Sequence, residues 1–369
     1  MKLELEIRRA AQNPRTTTHL GLWLALTFGT CLITGLLSHG IQHPDGWFFW
    51  PSRPVNLYRI TQGTHVLSGL ASIPLLGAKL WSVHPKLFQR PAIRSIPHLV
   101  ERLSVLALTS SALFELVTGL FNIAQNYPWR FFFPAAHFAV AWVVTGAILV
   151  HIAVKLPIIR VALGERTQHR AEPERGQMLD RRGFLSATAL SVGAALAVTA
   201  GSSVPLLRAT AVLSNRSERG PQRLPVNRTA AAAGVSTVIT DPNWRLEINA
   251  PSGARQLSLA ELHALPQVTA RLPIACVEGW SQDATWTGVR IADLVGEFDR
   301  DVRVLSAETT GLYSTSVLPA AFVRDPLTLL ALDLDGAPLH PDHGYPCRLI
   351  APNRPGVLQT KWVRRLEIL

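Results

Sequence analysis

Cys276-Val277-Glu278-Gly279-Trp280, followed by Trp286-Thr287-Gly288-Val289 and later by His343-Gly344-Tyr345-Pro346-Cys347-Arg348 and Lys361-Trp362, is the stretch on which the reading of this chain turns. Around it lie short alternating segments at 244–248, 303–305, 313–317, 348–351 and 363–369. Short helical patterns at 259–264 and 291–295 are interspersed with them. Strands mixed with short helices in this way predict an α+β domain. What precedes it is of a different kind, apolar and nearly free of carboxylates, so two domains of opposite solvent preference share one chain.

The chain has 369 residues, 48% of them hydrophobic, and a mean hydropathy of +0.20, which is too apolar for an ordinary soluble protein. The net charge of +11 is not gathered into an aromatic-interleaved basic patch, so nucleic acid is not an expected partner. The cations fall before Thr16, between Lys86 and Arg102, and between Lys155 and Arg182. These are alternate connections between apolar stretches, the distribution of cytoplasmic loops. Three cysteines, Cys31, Cys276 and Cys347, imply no disulfide framework.

Four apolar stretches, residues 19–37, 60–81, 99–121 and 132–156, are each about 20 residues long and able to cross a ~30 Å hydrocarbon core as helices. They predict an all-α four-helix transmembrane bundle. The connections 38–58 and 122–130 carry Trp, Phe and Pro with few cations, as expected of outer interfacial belts. A fifth run, 184–204, is richer in Ala, Ser and Gly and gives a fifth transmembrane helix. It follows Asp180-Arg181-Arg182-Gly183-Phe184-Leu185-Ser186, which resembles a twin-arginine export signal placed inside the chain. Val198-Thr199-Ala200 suits a signal peptidase, although retention of the anchor is the expectation. The predicted domains are thus 1–165 (four-helix membrane bundle), 166–205 (cytoplasmic basic segment and signal-anchor helix) and 206–369 (extracytoplasmic domain). The N-terminus is expected in the cytoplasm. From Pro205 to about Pro242 the chain reads as a tether that docks onto the last domain.

His137 and His151 lie 14 residues apart on the fourth stretch, ~21 Å of rise and within ~40° of one helix face. His65 on the second stretch matches the depth of His137, and His19 on the first matches His151. Imidazoles in hydrocarbon need such a reason. This arrangement resembles the dihaem cytochrome b subunits of formate dehydrogenases and nickel-iron hydrogenases over residues 15–156. The resemblance implies two haem b groups, one held by His65 and His137 and one by His19 and His151, with His84 or His98 as alternatives to His19. Two histidine ligands leave no open position on iron, so such haems transfer electrons and bind no substrate. Quinone or quinol is the implied partner, within membrane lipid.

In the C-terminal half, Asn243-Trp244-Arg245-Leu246-Glu247-Ile248, Leu257-Ser258-Leu259-Ala260-Glu261-Leu262, the Cys276 and Trp286 motifs, the run 330–339, and the His343 and Lys361 motifs resemble the sulfite oxidase superfamily in order and spacing. The resemblance covers about residues 222–369. It implies a molybdopterin cofactor with Cys276 as the molybdenum thiolate, and His343, Arg348 and Lys361 on the pterin phosphate. Asn227 and Arg228 reach the cofactor from the tether. Sulfite oxidases typically continue from the cysteine with a Gly-Asn-Arg type segment. Val277-Glu278-Gly279-Trp280 instead resembles the bacterial periplasmic methionine-sulfoxide reductase catalytic subunit, whose membrane haem partner is separate. Glu278 is expected to orient a neutral substrate or move a proton, and Trp280 to wall the pocket. A carboxylate is a poor neighbour for sulfite dianion, which Arg271 or Arg290 would have to offset. Thr360 stands where the family usually has Gly. An internal twin-arginine signal suits this arrangement, because that route exports folded, cofactor-loaded domains.

The chain is therefore expected to be a membrane-anchored molybdopterin oxidoreductase. It would transfer an oxygen atom from an S-oxide or N-oxide, small or protein-bound, with electrons drawn from quinol through the haems. Two alternatives are a dehydrogenase of sulfite or another oxyanion, running electrons the opposite way, and a non-catalytic membrane electron carrier.

Overall fold

The computed structural model describes residues 10–44, 48–88, 93, 95–164, 181–213, 220–251, 253–296 and 299–369. The basic segment expected at 166–180 lies outside the described residues. The chain divides into a helical unit (Met1–Leu36, Thr64–Gly201 and Leu206–Ser214) and a second unit (Leu37–Gly63, Ser202–Pro205 and Asn215–Leu369).

Five long helices account for the apolar half: α1 (Pro14–Gln42), α2 (Leu57–Leu87), α3 (Ile96–Ile123), α4 (Phe133–Gly164) and α5 (Arg181–Thr199). All five are long and apolar enough to cross a membrane, the mark of a membrane-anchored protein. Their large apolar side chains, such as Trp23, Ile33, Leu106, Trp142 and Leu149, stay exposed, as lipid-facing residues do. Small polar groups line the contact of α1 with α2. Ser72 Oγ donates to Thr27 Oγ1 at 2.8 Å, and Cys31 Sγ meets Ser68 Oγ at 3.1 Å. Small residues let helix backbones approach where lipid offers no hydrophobic drive.

The second unit is an α+β domain of two five-stranded sheets. One has the order β2-β1-β10-β5-β6, built from β1 (Arg245–Ala250), β2 (Gly253–Ser258), β5 (Val302–Ser306), β6 (Thr315–Leu318) and β10 (Val363–Ile368). Only its β1–β10 pair is parallel. The other runs β3-β4-β7-β8 with β9 also on β7, from β3 (Val268–Ala275), β4 (Ser281–Arg290), β7 (Leu329–Leu334), β8 (Ala337–Pro338) and β9 (Arg348–Ile350). Period-2 alternation buries Leu246 and Ile248 of β1 in one core with Val304, Val363 and Leu366. β7 is buried along almost its whole length, which explains its continuous apolar run. Gly288 in β4 sits at a register shift against β7. A Cβ there would strike the Leu330 carbonyl oxygen and come within 2.6 Å of Ala331 Cα, so only glycine lets these strands close.

Two segments outside the sheets complete this unit. The tether docks as expected: Gln222 Nε2 donates to Leu334 O (3.2 Å) and Pro338 O (3.0 Å), while Ala230, Ala233 and Ile239 pack with Trp362. Leu37–Gly63 also cluster here, taking in the whole of 38–58, which the sequence predicts to be an interfacial loop. Trp50 Nε1 donates to Asn353 O at 2.9 Å, and Arg53 forms a bidentate pair with Asp325 at 2.8 and 2.9 Å. Tyr58 N donates to Asn353 Oδ1 at 2.6 Å. Ile41 and Tyr58 pack with Ala275 at the end of β3, with Phe48, Trp50 and Leu358 around them.

Candidate active site

The β3–β4 hairpin carries Cys276 at its tip. Cys276 N donates to Trp280 O at 2.9 Å and Gly279 N to Cys276 O at 3.0 Å, closing a four-residue turn. Gly279 supplies a φ of 89°, a left-handed value that favours glycine. The Cys276 side chain is 1% exposed and lines a cleft of about 250 Å³. Asn227 Nδ2 lies 3.8 Å from its sulfur, so the tether residue does reach the thiol. Cys276 and Cys347 form no disulfide. Cys347 is fully buried with its thiol toward Val363 O, and burial pushes its pKa up, which suits a packed thiol.

The same cleft is lined by Asn227, Arg228, Trp280, His343, Arg348 and Lys361, so seven of the eight residues expected in the molybdenum site come together. Glu278 does not belong to the cleft wall. It is 8% exposed, and its Oε2 accepts from Trp280 Nε1 at 3.2 Å. Its carboxylate thus meets the indole that walls the cleft.

Whether these residues suit an anionic cofactor is decided by their unpaired charge. Arg348 is 3% exposed. It donates only to the carbonyls of His343 (2.9 Å) and Gln359 (3.2 Å), lies over the Trp286 ring at 5.2 Å, and leaves its Nε buried without a partner. Burial lowers its pKa to about 9, so it remains charged at neutral pH. Lys361 Nζ likewise meets carbonyls, those of Arg228 (2.5 Å) and Asp342 (3.0 Å). Burial and then the Arg348 charge lower Lys361 to about 7. Among the described residues neither cation has an ion-pair partner. Buried charge without a counter-charge is costly, and a phosphate group seated between them would supply it. His343 Nε2 donates to Pro221 O at 2.6 Å. Burial above all lowers its pKa to about 4, so it is neutral and keeps Nδ1 as an acceptor. The residues fit molybdopterin: a thiol for the metal, and buried cations for the phosphate.

Two site features, Tyr313 and Glu308, and one buried cation elsewhere escaped the sequence reading. Tyr313 lines the cleft, its pKa raised by burial and by the Cys276 charge. Glu308, 8% exposed at its side chain, holds Arg228 at 2.7 Å. Arg354 is buried beside Phe322 and satisfied by Leu358 O and Val317 O, outside the cleft. Thr360, the departure from the usual glycine, is accommodated because its Oγ1 meets Ser316 Oγ at 2.8 Å.

In the helical unit the rings of His65 and His137 lie 6.3 Å apart, centroid to centroid. Two imidazoles on opposite sides of one metal, each bonded at ~2 Å, have centroids roughly 6 Å apart. His65 Nδ1 donates to Cys31 O at 3.0 Å, and His137 Nδ1 lies 3.1 Å from Glu115 Oε2. In each ring Nδ1 is thus the nitrogen held by the protein. His19 Nδ1 donates to Arg15 O at 2.6 Å, but no ring contact joins it to His151 among the described residues. His98 Nε2 accepts from Arg102 at 3.3 Å, and His84 tilts on Phe88.

Residues 232–369 match the oxidoreductase molybdopterin binding domain. The chain is 35% identical over 130 residues to a putative protein-methionine-sulfoxide reductase subunit YedZ1 of Azospira oryzae, covering 34% of this chain and 49% of that protein. It is 32% identical over 112 residues to the protein-methionine-sulfoxide reductase catalytic subunit MsrP of Xanthomonas campestris, covering 26% and 35%. Mitochondrial sulfite oxidase of Rattus norvegicus is 26% identical over 161 residues, covering 35% and 30%. The chain thus spans between about a third and a half of the length of these relatives. The cleft and the matches agree: residues 232–369 are an oxidoreductase molybdopterin-binding domain, homologous to those of sulfite oxidase and methionine-sulfoxide reductase.

Proposed function

We propose that this membrane-anchored enzyme reduces a neutral S-oxide or N-oxide outside the cytoplasm, drawing electrons from quinol through two b haems. The observation that carries the choice of substrate is the Arg228–Glu308 ion pair at 2.7 Å. The basic residues of the cleft wall are Arg228, His343, Arg348 and Lys361. Arg348 and Lys361 are committed to the cofactor phosphate and His343 is neutral. Arg228, half-exposed, is neutralised by Glu308. Arg271 and Arg290 do not line the cleft, and Arg290 pairs with Asp293 at 2.8 Å. A sulfite dianion therefore meets no uncompensated cation, whereas a neutral sulfoxide needs none.

Molybdopterin, when bound, supplies the two-electron oxygen-atom transfer. Cys276 gives the thiolate, and Asn227 directs an amide N–H toward its sulfur. Trp280 walls the cleft together with Tyr313, whose hydroxyl donates to Gln42 Oε1 at 3.4 Å. A haem between His65 and His137, and a second between His19 and His151, would pass single electrons. The cations in alternate connections between the apolar stretches support an N-terminus in the cytoplasm, with Arg181-Arg182 as an internal export signal.

The test is optical. Intact protein is reduced with limiting dithionite under argon, methionine sulfoxide is added, and the haem α band is followed beside a Cys276→Ala control. Reoxidation that is lost in the control is the expected result. The similarity to sulfite oxidases favours a second reading, oxidation of sulfite with electrons passed to haem. Sulfite reducing the oxidised protein, with no reoxidation by the sulfoxide, would establish it.

A further inference from the structure

We infer that Gln62 is a positioning residue for the molybdenum thiolate, fixing the turn that presents Cys276. The inference rests on the reading of Cys276 as that thiolate. In the turn 276–279, closed by the bond from Gly279 N to Cys276 O, the central peptide joins Val277 to Glu278. Rotation of that peptide by about half a circle separates the two common turn types, and the flipped form requires a positive φ at the third residue. Here the third residue is Glu278, and the positive φ falls on Gly279 instead. The carbonyl of the central peptide is Val277 O, and Gln62 Nε2 donates to it at 3.0 Å. That bond holds the peptide in its unflipped orientation.

Gln62 is 6% exposed, and its Oε1 is buried with no partner. Leaving that oxygen unpaired is unfavourable where an apolar side chain of similar size would fill the space at no such cost. The amide is therefore present for its donor. A second bond acts on the same turn, from Ser203 Oγ to Gly279 O. Both donors come from outside the molybdopterin-domain match at 232–369, yet cluster with it. One donor lies in the first turns of α2 and the other just after α5 in sequence. Loss of the bond would loosen the turn whose first residue is Cys276, and with it the orientation of the thiol.

The experiment uses the full chain and the variants Gln62→Leu and Thr61→Ala. Thr61 Oγ1 bonds only to Tyr58 O, one turn back on its own helix, so it controls for local disturbance. In cofactor-loaded protein the readout is the Mo(V) electron paramagnetic resonance g-tensor at equal molybdenum content. In cofactor-free protein it is the alkylation rate of Cys276 by iodoacetamide, followed by mass spectrometry. Gln62→Leu should shift and broaden the g-tensor and raise the alkylation rate roughly five-fold, the loss of one hydrogen bond, with Thr61→Ala matching the parent in both. Parent values in Gln62→Leu, or equal changes in both variants, would overturn the inference. If Gln62→Leu does not accumulate, Gln62→Glu, which keeps the shape but loses the donor when ionised, takes its place with the same outcomes. Parent protein without molybdenum would instead overturn the functional reading, and the alkylation arm would still decide the role of Gln62 in holding the turn.

Discussion

Lys361 is where the charge of the site answers to pH. Its pKa, lowered by burial and then by Arg348 to about 7, lies well below the ~10.4 of an unfolded lysine. Below about pH 7 both states are protonated and the cost of burying the ammonium is fully present. As pH rises from there toward ~10 the folded side chain sheds its proton first, so cofactor-free protein gains stability across that window. Anion binding runs the other way, falling by up to about ten-fold per pH unit above 7. Calorimetric titration with inorganic sulfate, whose charge is constant over this range, should show that fall, and Lys361→Met should flatten it. Glu308→Gln makes the complementary prediction. Unpairing Arg228 should tighten sulfite, as substrate or competitive inhibitor, roughly ten-fold and leave the KM for methionine sulfoxide within about two-fold. Cys276, Arg348 and Lys361 were legible in the sequence because each sits in a dense local motif. Glu308, Tyr313 and Gln62 were not, because their partners lie far away along the chain and no local pattern announces them. Glu278, expected two residues from the cysteine to orient a substrate or move a proton, is not among the cleft's lining residues and accepts from Trp280 Nε1.

At the scale of elements, long apolar stretches located all five long helices; α1, α2 and α3 run a few residues beyond theirs at both ends, α4 only at its C-terminal end, and α5 stops at Thr199. The short helices Leu259–Ala264 and Ile291–Val295 also stand where the pattern put them. β3, β4 and β7 were not assigned as strands. β3 alternates, with Ala270, Leu272 and Ile274 buried around an exposed Arg271, but Pro273 argues against a strand, and β7 is buried on both faces and gives no alternation. Their importance is set by what they hold. Trp286 of β4 is fully buried, its Nε1 donates to Leu272 O across the hairpin at 3.3 Å, and its ring lies beneath Arg348. Trp286→Ala should cost about 3–5 kcal/mol, read from hydrogen exchange of the β4 amides in cofactor-free protein. It should also weaken sulfate binding, since the platform under the guanidinium is lost.

At the scale of the whole molecule, the boundary between units is the feature that sequence order hides. The expected partition ran in sequence, 1–165 and then 206–369, whereas residues Leu37–Gly63 cluster with the catalytic unit. The aromatic content of this segment had an equally good local explanation as an interfacial belt, and its partners lie about 300 residues further on, so composition alone did not separate the two readings. Asn353 decides between them. It adopts a φ of 52°, accepts from Tyr58 N at 2.6 Å and donates through Nδ2 to Pro51 O at 2.6 Å, and is 2% exposed. Asn353→Ala removes both side-chain bonds and leaves two backbone groups of the segment unpaired, a loss of about 2 kcal/mol. It also places a side chain with less tolerance for positive φ at that position. Amides from Leu57 to Ile60 should then exchange faster, by roughly thirty-fold for that free energy, while those of β1 and β10, remote from Asn353 in the sheet, keep their rates. Unchanged exchange at Tyr58 would show that residues 37–63 do not depend on the catalytic unit for their order. The belt reading would then stand, and the contacts of Trp50, Arg53 and Gln62 would contribute little to the fold.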